Sequence, residues 1–539
     1  MHIRRPHPTL VSRSSRRPHA RPHPHGARAA GVLLAVAALV VSACSTGGST
    51  TSASPAAAPA LAALPQATPD TLAAYYGQKL AWRSCGVPGF QCATLKAPLD
   101  YTKPEEGDVR LAVARKKATG PGERLGSLLV NPGGPGGSAV GYLQAYAGIG
   151  YPAEVRARYD MVAVDPRGVA RSEPVECLDG PDMDTYTQTD LTPDDGAEQS
   201  ALVDSYKKFA EGCGAHSPEL LRHVSTVEAA RDMDLLRAVL GDERLNYVGA
   251  SYGTFLGATY AGLFPQRAGR LVLDGAMDPS LPARRLNLDQ TAGFETAFKA
   301  FARDCVQQPD CPLGTKADKV GDNLKSYFEK LDAQPIPTGD ADGRKLGESL
   351  ATIGVIAAMY DEAAWAQLRE ALTSAMKEDD GAGLLVLADS YYERDADGRY
   401  SNLMFANAAV NCLDLPAAFD TPEEVRDALP AFEKASPVFG EGLAWASLNC
   451  AYWPVAATGG PHRIEAAGAA PIVVVGTTRD PATPYRWARA LSAQLSSARL
   501  LTYEGDGHTA YGRGSDCIDR TINAYLLRGT PPTDRKRCS

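Results

Sequence analysis

The sequence predicts an α/β protein with a mostly parallel sheet, interrupted by a large helical insertion that precedes the last strands. Before residue 280, short apolar runs that end at turn residues alternate with an apolar pattern of helical period. After residue 466 the same alternation of strand and helix patterns resumes. Short apolar runs alternating with helices are typical of buried parallel strands in βαβ units. The stretch between the two parts has apolar residues at helical spacing, which predicts helices there.

Six apolar runs are the predicted strands, and a periodic segment between them is the clearest predicted helix. The strands cover residues 127–130, 161–164, 247–248, 271–273, 472–475 and 499–502. In the helical segment Val227, Ala230 and Met233 recur at helical spacing, and Gly241 is placed as its end. We therefore expect two core parts, 71–280 and 466–539, with a helical cap over 281–465 inserted between them.

The composition is that of a soluble globular protein. The chain has 539 residues, of which 44% are hydrophobic and 22% charged, and its formal net charge is −8. These values exclude a disordered, collagenous or multi-span membrane protein. The acidic balance argues against a nucleic-acid partner, because phosphates call for a basic surface.

The first 43 residues have the pattern of an export signal. Residues 1–30 contain seven arginines, five histidines and no acidic residue, and an apolar run follows over 29–41. A basic segment before a short apolar one is typical of a signal peptide. Removal of this leader would change the net charge from −8 to −15 and leave four histidines. We therefore expect an exported protein.

The signal ends at Val41-Ser42-Ala43-Cys44, which resembles a bacterial lipobox. Such a motif predicts that Cys44 is lipidated and anchors the protein to the cell envelope. The alternative is ordinary cleavage near Ala43, which would give a secreted protein with Cys44 spare. The stretch 44–70 is rich in Ser, Thr, Ala, Gly and Pro, which predicts a flexible tether.

Ten cysteines follow Cys44, and an even number in an exported chain is typical of disulfides. Ten cysteines allow many connectivities, of which sequential pairing is the simplest. The proposed pairs are Cys85–Cys92, Cys177–Cys213, Cys305–Cys311, Cys412–Cys450 and Cys517–Cys538. No Cys-x-x-Cys or histidine-rich spacing indicates a metal site, and no cofactor is predicted.

The segment Gly249-Ala250-Ser251-Tyr252-Gly253 is a G-x-S-x-G motif with a predicted strand before it and a helical pattern after it. In this context the motif is a nucleophile elbow, a strained turn that lifts the serine hydroxyl out of the sheet edge. The glycines are needed because strand and helix approach too closely there for side chains. Ser251 is therefore the predicted nucleophile.

A glycine-rich loop, Asn131 to Ser138, follows the predicted strand 127–130. A loop of this kind after an earlier strand supplies a second backbone N–H for an oxyanion hole. The predicted donors are the amides of Gly134 and Tyr252. Phosphate binding is excluded, because no Gly-Lys-Ser/Thr follows and the spacing is not G-x-G-x-x-G.

A nucleophilic serine needs a histidine base and a carboxylate that orients the histidine. In this architecture the acid follows the serine along the chain, and the histidine follows the acid. Only His462 and His508 lie beyond Ser251, and His508 comes directly after the last predicted strand. His508 is therefore the predicted base. Asp480, which follows strand 472–475, is the predicted acid, and Asp274 is its rival.

Several segments together resemble the secreted tripeptidyl aminopeptidases of actinobacteria, in the prolyl-iminopeptidase-like branch of the α/β-hydrolases. The similarity covers nearly the whole mature chain, and the family's Ser, Asp and His fall on Ser251, Asp480 and His508. One departure is Pro132, which stands where prolyl iminopeptidases have the His of His-Gly-Gly-Pro. The other segments that carry the resemblance are Trp82-Arg83-Ser84-Cys85, Phe90-Gln91-Cys92-Ala93, Pro98-Leu99-Asp100-Tyr101, Asp165-Pro166-Arg167-Gly168, Asn411-Cys412, Asp480-Pro481 and Gly507-His508-Thr509.

The resemblance implies an α/β-hydrolase fold and an exopeptidase that releases short peptides, such as tripeptides, from a free N-terminus. Cap carboxylates would then meet the substrate ammonium. The candidates are Asp414, Glu295, Asp361 and Glu362, of which Asp414 is preferred because its segment matches the family. The predicted partners are peptide substrates, and the chain is expected to be a monomer.

Two other functions use the same sequence features. A carboxylesterase or lipase could act on oxygen esters with the same Ser-His-Asp set, and the motifs do not separate it from a peptidase. An inactive binding lipoprotein of the cell envelope is the third interpretation. The complete set of Ser251, Asp480, His508 and glycine loop argues against it.

Overall fold

A ten-stranded sheet organises the protein, and the computed structural model describes the chain over residues 58–539. Its strand order is β1-β2-β3-β5-β4-β6-β7-β10-β11-β12. The first three pairings, the last of which joins β3 to β5, are antiparallel, and the pairings from β5 through β12 are parallel. The strands are β1 (Arg83–Ser84), β2 (Gln91–Pro98), β3 (Asp108–Lys116), β4 (Ser127–Asn131), β5 (Asp160–Val164), β6 (Leu245–Ala250), β7 (Ala268–Asp274), β10 (Ile472–Arg479), β11 (Ala498–Asp506) and β12 (Lys536–Cys538), with a separate hairpin of β8 (Ile336–Pro337) and β9 (Lys345–Leu346).

Alternate residues of the central strands face two different cores. In β10, Ile472 and Val474 belong to one core cluster, whereas Val473 and Val475 belong to the cluster on the opposite face. Successive side chains of a strand point to opposite faces, so a continuous apolar run is buried on both sides. This is why the six predicted strands coincide with β4, β5, β6, β7, β10 and β11, and the predicted α/β class is confirmed.

Helices cover both faces of the sheet and fill the segment between β7 and β10. In the part of the chain that the structure describes, eight α-helices precede β7, and a π-helical turn over residues 143–147 joins two short ones among them. The helices are α1 (Ala73–Tyr76), α2 (Ala139–Tyr142), α3 (Gly148–Gly150), α4 (Ala153–Arg158), α5 (Gly180–Thr187), α6 (Gly196–His216), α7 (Thr226–Val239), α8 (Tyr252–Leu263), α9 (Ala283–Cys305), α10 (Val320–Ala333), α11 (Glu348–Met359), α12 (Trp365–Glu378), α13 (Ala382–Tyr392), α14 (Leu403–Asp414), α15 (Pro422–Ala435), α16 (Gly440–Ala446), α17 (Tyr485–Gln494) and α18 (Asp516–Arg528).

The cap predicted over 281–465 contains α9 to α16. Not all of these helices are separate from the sheet domain. Helices α9 to α13 share a core of their own, which includes Phe298, Phe328 and Leu372. Helix α14 differs, because Phe405, Val410 and Leu413 belong to the main core beneath the sheet. One cap helix is therefore built into the α/β part of the molecule.

A helix on the N-terminal side of the predicted boundary at residue 280 packs against the cap. Leu202 and Tyr206 of α6 lie in one cluster with Val425 and Phe432 of α15. The predicted first core part, 71–280, thus contributes α6 to the cap's surface. The sequence pattern did not reveal this, because α6 lies between two segments that both belong to the sheet domain.

The tether predicted over 44–70 is corrected at its C-terminal end. Residues 58–70 are docked on the core: Leu61 N–H donates to Arg463 O at 2.8 Å, and Leu64 N–H donates to Leu263 O at 2.9 Å. These backbone bonds tie the segment to the end of α8 and to the residues that precede β10. The predicted signal 1–43, the lipidation site Cys44 and the tether as far as residue 57 lie outside the described residues.

The structure contains the five disulfides of the sequential pairing. They close loops of very different length, from 6 residues for Cys305–Cys311 to 38 residues for Cys412–Cys450. Cys517–Cys538 ties α18 to the edge strand β12. The remaining bonds are Cys85–Cys92 and Cys177–Cys213.

Candidate active site

Ser251 lies on a strained turn between β6 and α8. Its backbone has φ 56° and ψ −126°, a region that L-residues rarely adopt and that functional sites retain. A Cβ added to Gly249 would lie 2.3 Å from Gly253 O, and one added to Gly253 would lie 2.9 Å from Asn131 O. Both glycines of the motif are therefore required by the close approach of strand, helix and glycine loop. The turn is held from below by Ser251 N–H, which donates to Asp274 O at 2.9 Å.

His508 and Asp480 form a hydrogen-bonded pair. His508 Nδ1 lies 2.9 Å from Asp480 Oδ1 and 3.0 Å from Oδ2, and Asp480 is 2% exposed. Because a carboxylate only accepts, Nδ1 carries the proton and Nε2 is left free to accept one. Asp480 is itself oriented by the amides of Ala482, Thr483 and Thr509.

His508 lies against the end of β7, next to the Asp274 carbonyl that binds Ser251 N–H. A Cβ added to Gly275 would be 3.3 Å from His508 Cε1, and Gly275 directly follows the Asp274 carbonyl that binds Ser251 N–H. The structure thus brings the three predicted residues Ser251, Asp480 and His508 to one end of the parallel strands.

Asp274, the rival acid, binds the histidine loop at a different place. Its buried carboxylate accepts hydrogen bonds from the amides of Ala510 and Tyr511, at distances between 2.8 and 3.1 Å. Burial raises the pKa of Asp274 above its ordinary value. Asp274 therefore shapes the loop that carries His508, and Asp480 is the residue that touches the imidazole.

The two predicted oxyanion donors lie beside Ser251. A Cβ added to Gly133 would fall 2.9 Å from Ser251 Cβ and 3.0 Å from Tyr252 N, so the glycine loop is packed directly on the elbow. Gly133 N–H is already bonded to Asn131 Oδ1, whereas Gly134 N–H donates to no acceptor among the described residues. Tyr252 is the first residue of α8, where N–H groups have no intrahelical acceptor.

The glycine loop is fixed at its far end by the buried carboxylate of Asp165. Asp165 Oδ1 accepts hydrogen bonds from the Ser138 hydroxyl and from Val140 N–H, both at 2.9 Å. Burial raises the pKa of Asp165, and these bonds to the ionised form oppose the shift. The loop is therefore held in shape before any substrate binds, as electrostatic catalysis requires.

The cap contacts the base directly. His508 N–H donates to Tyr360 O at 2.9 Å, and the Tyr360 ring stands edge-on to the imidazole at 5.4 Å. The His508 carbonyl accepts from Arg513 at 2.8 Å, and Arg513 forms an ion pair with Asp361 at 2.9 Å. The junction that follows α11 thus holds the His508 N–H directly and the His508 carbonyl through Arg513.

The carboxylates predicted to meet a substrate ammonium bind other residues of the protein. Asp414 is 9% exposed, and both its oxygens accept hydrogen bonds from Thr226. Glu295 is 7% exposed and binds the Ser436 hydroxyl at 2.8 Å and Lys299 at 3.2 Å. This geometry favours structural roles for Asp414 and Glu295 over contact with a substrate. Asp361 is committed to Arg513 as described above.

Within residues 58–539, no helix is long and apolar enough to cross a membrane. Across the same described part of the chain, no group of three or more His, Cys, Asp or Glu side chains is arranged to hold a metal ion.

A serine on a nucleophile elbow, a histidine–aspartate pair and two free amides at one end of the parallel strands are suited to acyl transfer, so the fold and site define a serine hydrolase of the α/β-hydrolase class. Comparisons with known proteins narrow this class. A family described as TAP-like protein matches residues 436–538. Serine protease Hip1 of Mycobacterium tuberculosis is 38% identical over 482 residues, which are 86% of this chain and 91% of that one.

Two further relatives match over most of their length. Carboxylesterase B of M. tuberculosis is 37% identical, covering 85% of this chain and 90% of that one. Tripeptidyl aminopeptidase of Streptomyces coelicolor is 32% identical, covering 83% and 84%. The chain belongs to the tripeptidyl-aminopeptidase-like family of serine peptidases, as the sequence motifs predicted.

The residues that support the site were not identified from the sequence. Tyr360 and Arg513 hold His508 through backbone contacts, which leave no motif. Thr226 follows Ser225 at the start of α7, where the Ser-x-x-Glu pattern predicts only a helix cap. Its bond to Asp414 spans 188 residues of sequence, and no local signal predicts such a contact.

Proposed function

We propose that the protein is an exported serine exopeptidase that releases short peptides, tripeptides among them, from free N-termini through an acyl-enzyme. The observation that carries the proposal is the placement of Ser251 beside the His508–Asp480 pair under a helical cap that contacts the base. Membership in the peptidase family supports the substrate class.

In the proposed mechanism the Ser251 hydroxyl attacks the carbonyl carbon of the scissile peptide bond while His508 Nε2 takes its proton. The oxyanion that forms accepts hydrogen bonds from the amides of Gly134 and Tyr252. His508, stabilised as an imidazolium by Asp480, then gives the proton to the leaving amine as the C–N bond breaks. Water attacks the acyl-enzyme with His508 again as base, and the short peptide leaves with a new carboxylate.

Export and anchoring are part of the proposal. Five disulfides support an oxidising compartment, because such bonds persist outside the cytosol. We infer that Cys44 carries a lipid, that the membrane is contacted only through this anchor, and that the enzyme acts as a monomer. Cys44→Ser should move the protein from the membrane fraction to the medium; an unchanged distribution would contradict the anchor.

Matched amide and ester substrates test the substrate class. We expect hydrolysis of tripeptidyl amides with a free amine, slower hydrolysis of single aminoacyl amides, and loss of turnover when the amine is blocked. Ser251→Ala, which keeps the fold, is the control that assigns the activity to this site and should reduce kcat by a factor of about 10⁶. Equal rates on free and blocked amides would contradict the exopeptidase proposal.

A carboxylesterase is the second candidate, and the 37% identical relative named carboxylesterase B favours it. The same Ser251, His508 and Asp480 would serve an oxygen ester, whose leaving group needs less protonation than an amine. Hydrolysis of short acyl esters with no turnover of any peptide amide would establish the esterase and refute the peptidase.

A further inference from the structure

Helix α14 contacts the glycine loop directly and is linked to Tyr252 of the elbow through Thr226. Its N-terminal half packs on the glycine loop, and its last residue, Asp414, binds the start of α7 next to Tyr252. The helix belongs to the cap in sequence and to the main core in packing. This position suits an element that fixes the geometry of the oxyanion hole.

At the C-terminal end of α14 a chain of hydrogen bonds leads from Asp414 to the elbow. The Thr226 hydroxyl donates to Asp414 Oδ2, and Thr226 N–H donates to Oδ1 at 2.8 Å. Because the Thr226 hydroxyl is committed as a donor, its oxygen accepts the hydroxyl of Tyr252. Tyr252 is 4% exposed, so its side chain is held at the ring by packing and at the hydroxyl by this bond. The backbone N–H of the same residue is the donor beside Ser251.

At the other end of α14 the contact is with the glycine loop itself. Asn407 Nδ2 donates to Pro135 O at 3.0 Å, directly after the second donor, Gly134. The loop backbone touches the helix backbone, since a Cβ on Gly136 would lie 2.4 Å from Leu403 O. One rigid helix therefore sets the positions of both donors relative to each other.

The helix is held in place by independent contacts. Cys412 is joined to Cys450, and the buried Leu413 packs in the main core. Just before the helix, Asn402 accepts from Ala170 N–H at 2.8 Å and donates to Gly168 O at 2.7 Å. These bonds tie α14 to the loop after β5, whose Asp165 anchors the glycine loop at Ser138.

We propose that Asp414 and Asn407 are positioning residues of the oxyanion hole, Asp414 acting on Tyr252 through Thr226 and Asn407 acting on the Gly134 segment through Pro135. The proposal rests on acyl transfer at Ser251 and not on the length of peptide released. It replaces the predicted contact of Asp414 with a substrate ammonium. It also makes α14 a fixed part of the active site within the cap.

The test uses a probe that occupies the oxyanion hole. Phenylboronic acid forms a tetrahedral adduct with an active-site serine, and its affinity depends on how well the oxyanion donors are placed. The value of kcat for any ester or amide that the enzyme hydrolyses depends on the same placement. We expect Asp414→Asn and Asn407→Asp each to weaken boronate binding and lower kcat by about 10-fold, with KM changed less than about twofold, because donors are displaced and not removed.

Two comparisons separate positioning from stability. Tyr252→Phe removes only the hydroxyl at the end of the bond chain; combined with Asp414→Asn it should add little further loss, since both act through one path. Asp184→Asn is the matched control, because Asp184 is a carboxylate of α5 that accepts the Tyr400 hydroxyl of the cap at 2.6 Å and binds Arg394 at 2.8 Å. It should lower Tm and leave boronate affinity unchanged.

Three outcomes would overturn the proposal. They are wild-type boronate affinity in folded Asp414→Asn and Tyr252→Phe, simple multiplication of their two effects, or an equal loss of boronate affinity in Asp184→Asn. A chain that hydrolyses esters and no peptides would refute the proposed function and leave this inference standing, because both reactions pass through the same oxyanion.

Discussion

Asp480 and Asp274 are both buried carboxylates that bind the histidine loop, and their partners differ. Asp480 accepts the imidazole N–H of His508, whereas Asp274 accepts the backbone N–H groups of Ala510 and Tyr511. A carboxylate on the imidazole sets its tautomer and stabilises the imidazolium that forms during catalysis. A carboxylate on the backbone sets only the path of the loop. The two residues should therefore respond differently to the same substitution.

Asp480→Asn should lower kcat by about 10⁴-fold with little change in Tm, because the amide imposes the wrong tautomer on His508. Asp274→Asn should lower kcat by about 10-fold or less and destabilise the fold by about 1–3 kcal/mol, since one loop amide loses its acceptor. Steady-state kinetics and thermal melting of both variants measure this. The reverse ranking in kcat would assign Asp274 as the acid.

Glu348, at the start of α11, has a pKa raised to about 7, first by burial and then by the nearby charges of Asp190, Asp332 and Glu441. Between the ordinary value of 4.5 and about 7 the folded chain keeps a proton that the unfolded chain releases, so stability falls as pH rises. Glu348→Gln should be more stable than the parent at pH 8, by on the order of 2 kcal/mol, and equal to it near pH 5.

Melting curves at pH 5, 6, 7 and 8 test this prediction. A constant difference between variant and parent across these pH values would show that Glu348 titrates at its ordinary pKa and would contradict the account.

The candidate catalytic residues could be predicted from the sequence, and the residues that hold them in place could not. Ser251 and His508 are marked by a motif or by position after a strand, because nucleophile and base need defined backbone sites. Asp414 was predicted to meet a substrate ammonium, and its bond to Thr226, 188 residues away in sequence, had no local signal. Sequence patterns report local geometry, and buried side-chain partners depend on packing across the whole fold.

At the scale of elements, the joint between cap and sheet domain lies at the segment after α11. Tyr360 O accepts His508 N–H, and Asp361 pairs with Arg513, which binds the His508 carbonyl. Movement of this joint would move the base. The exposed ion pair contributes little to stability by itself, since surface pairs are typically worth about 0–1 kcal/mol. Its effect should appear in catalysis.

Arg513→Gln should lower kcat/KM by about 10-fold with a Tm change of less than about 2 °C, because the His508 carbonyl loses its charged donor while the core is untouched. Asp361→Asn should have a smaller effect in the same direction. Arg520→Gln, which removes an exposed pair with Asp516 on α18, is the control and should match the parent. Equal activity of Arg513→Gln and Arg520→Gln would contradict a role for the joint.

The elements themselves were predicted unevenly, for a physical reason. The strands β4 to β7, β10 and β11 are buried on both faces and appear as continuous apolar runs. The antiparallel β2 and β3 alternate buried and exposed residues, as in β2 where Leu95 is buried between exposed Thr94 and Lys96, and no strand was predicted there. The helical cap was predicted as a region, and its shared surface with α6 requires tertiary packing.

For the whole molecule, the disulfides differ in the length of the loop that each closes and in the element that each holds. Cys412–Cys450 closes a 38-residue loop and holds α14, whereas Cys85–Cys92 closes a 7-residue loop near the edge strand β1. By reducing the entropy of the unfolded chain, the disulfide that closes the longer loop should stabilise the fold by about 4 kcal/mol, and the one that closes the shorter loop by about 2 kcal/mol. The two bonds therefore differ both in stabilisation and in their distance from the site.

Paired Cys→Ser variants test this difference. Replacing Cys412 and Cys450 should lower the free energy of unfolding by about 1.5 kcal/mol more than replacing Cys85 and Cys92. Only the first pair should also lower kcat, because α14 supports the oxyanion hole. A loss of kcat in the Cys85/Cys92 variant, or none in the Cys412/Cys450 variant, would contradict the link between α14 and catalysis.

The central claim, a serine peptidase that acts from a free N-terminus, is tested most directly by mass spectrometry of the products formed from a set of peptides. Each peptide is offered with a free and with an acetylated N-terminus, to the parent enzyme and to Ser251→Ala. The parent should release N-terminal tripeptides from the free peptides and leave the acetylated ones intact, and Ser251→Ala should release nothing. Internal cleavage, or equal cleavage of acetylated peptides, would contradict the central claim.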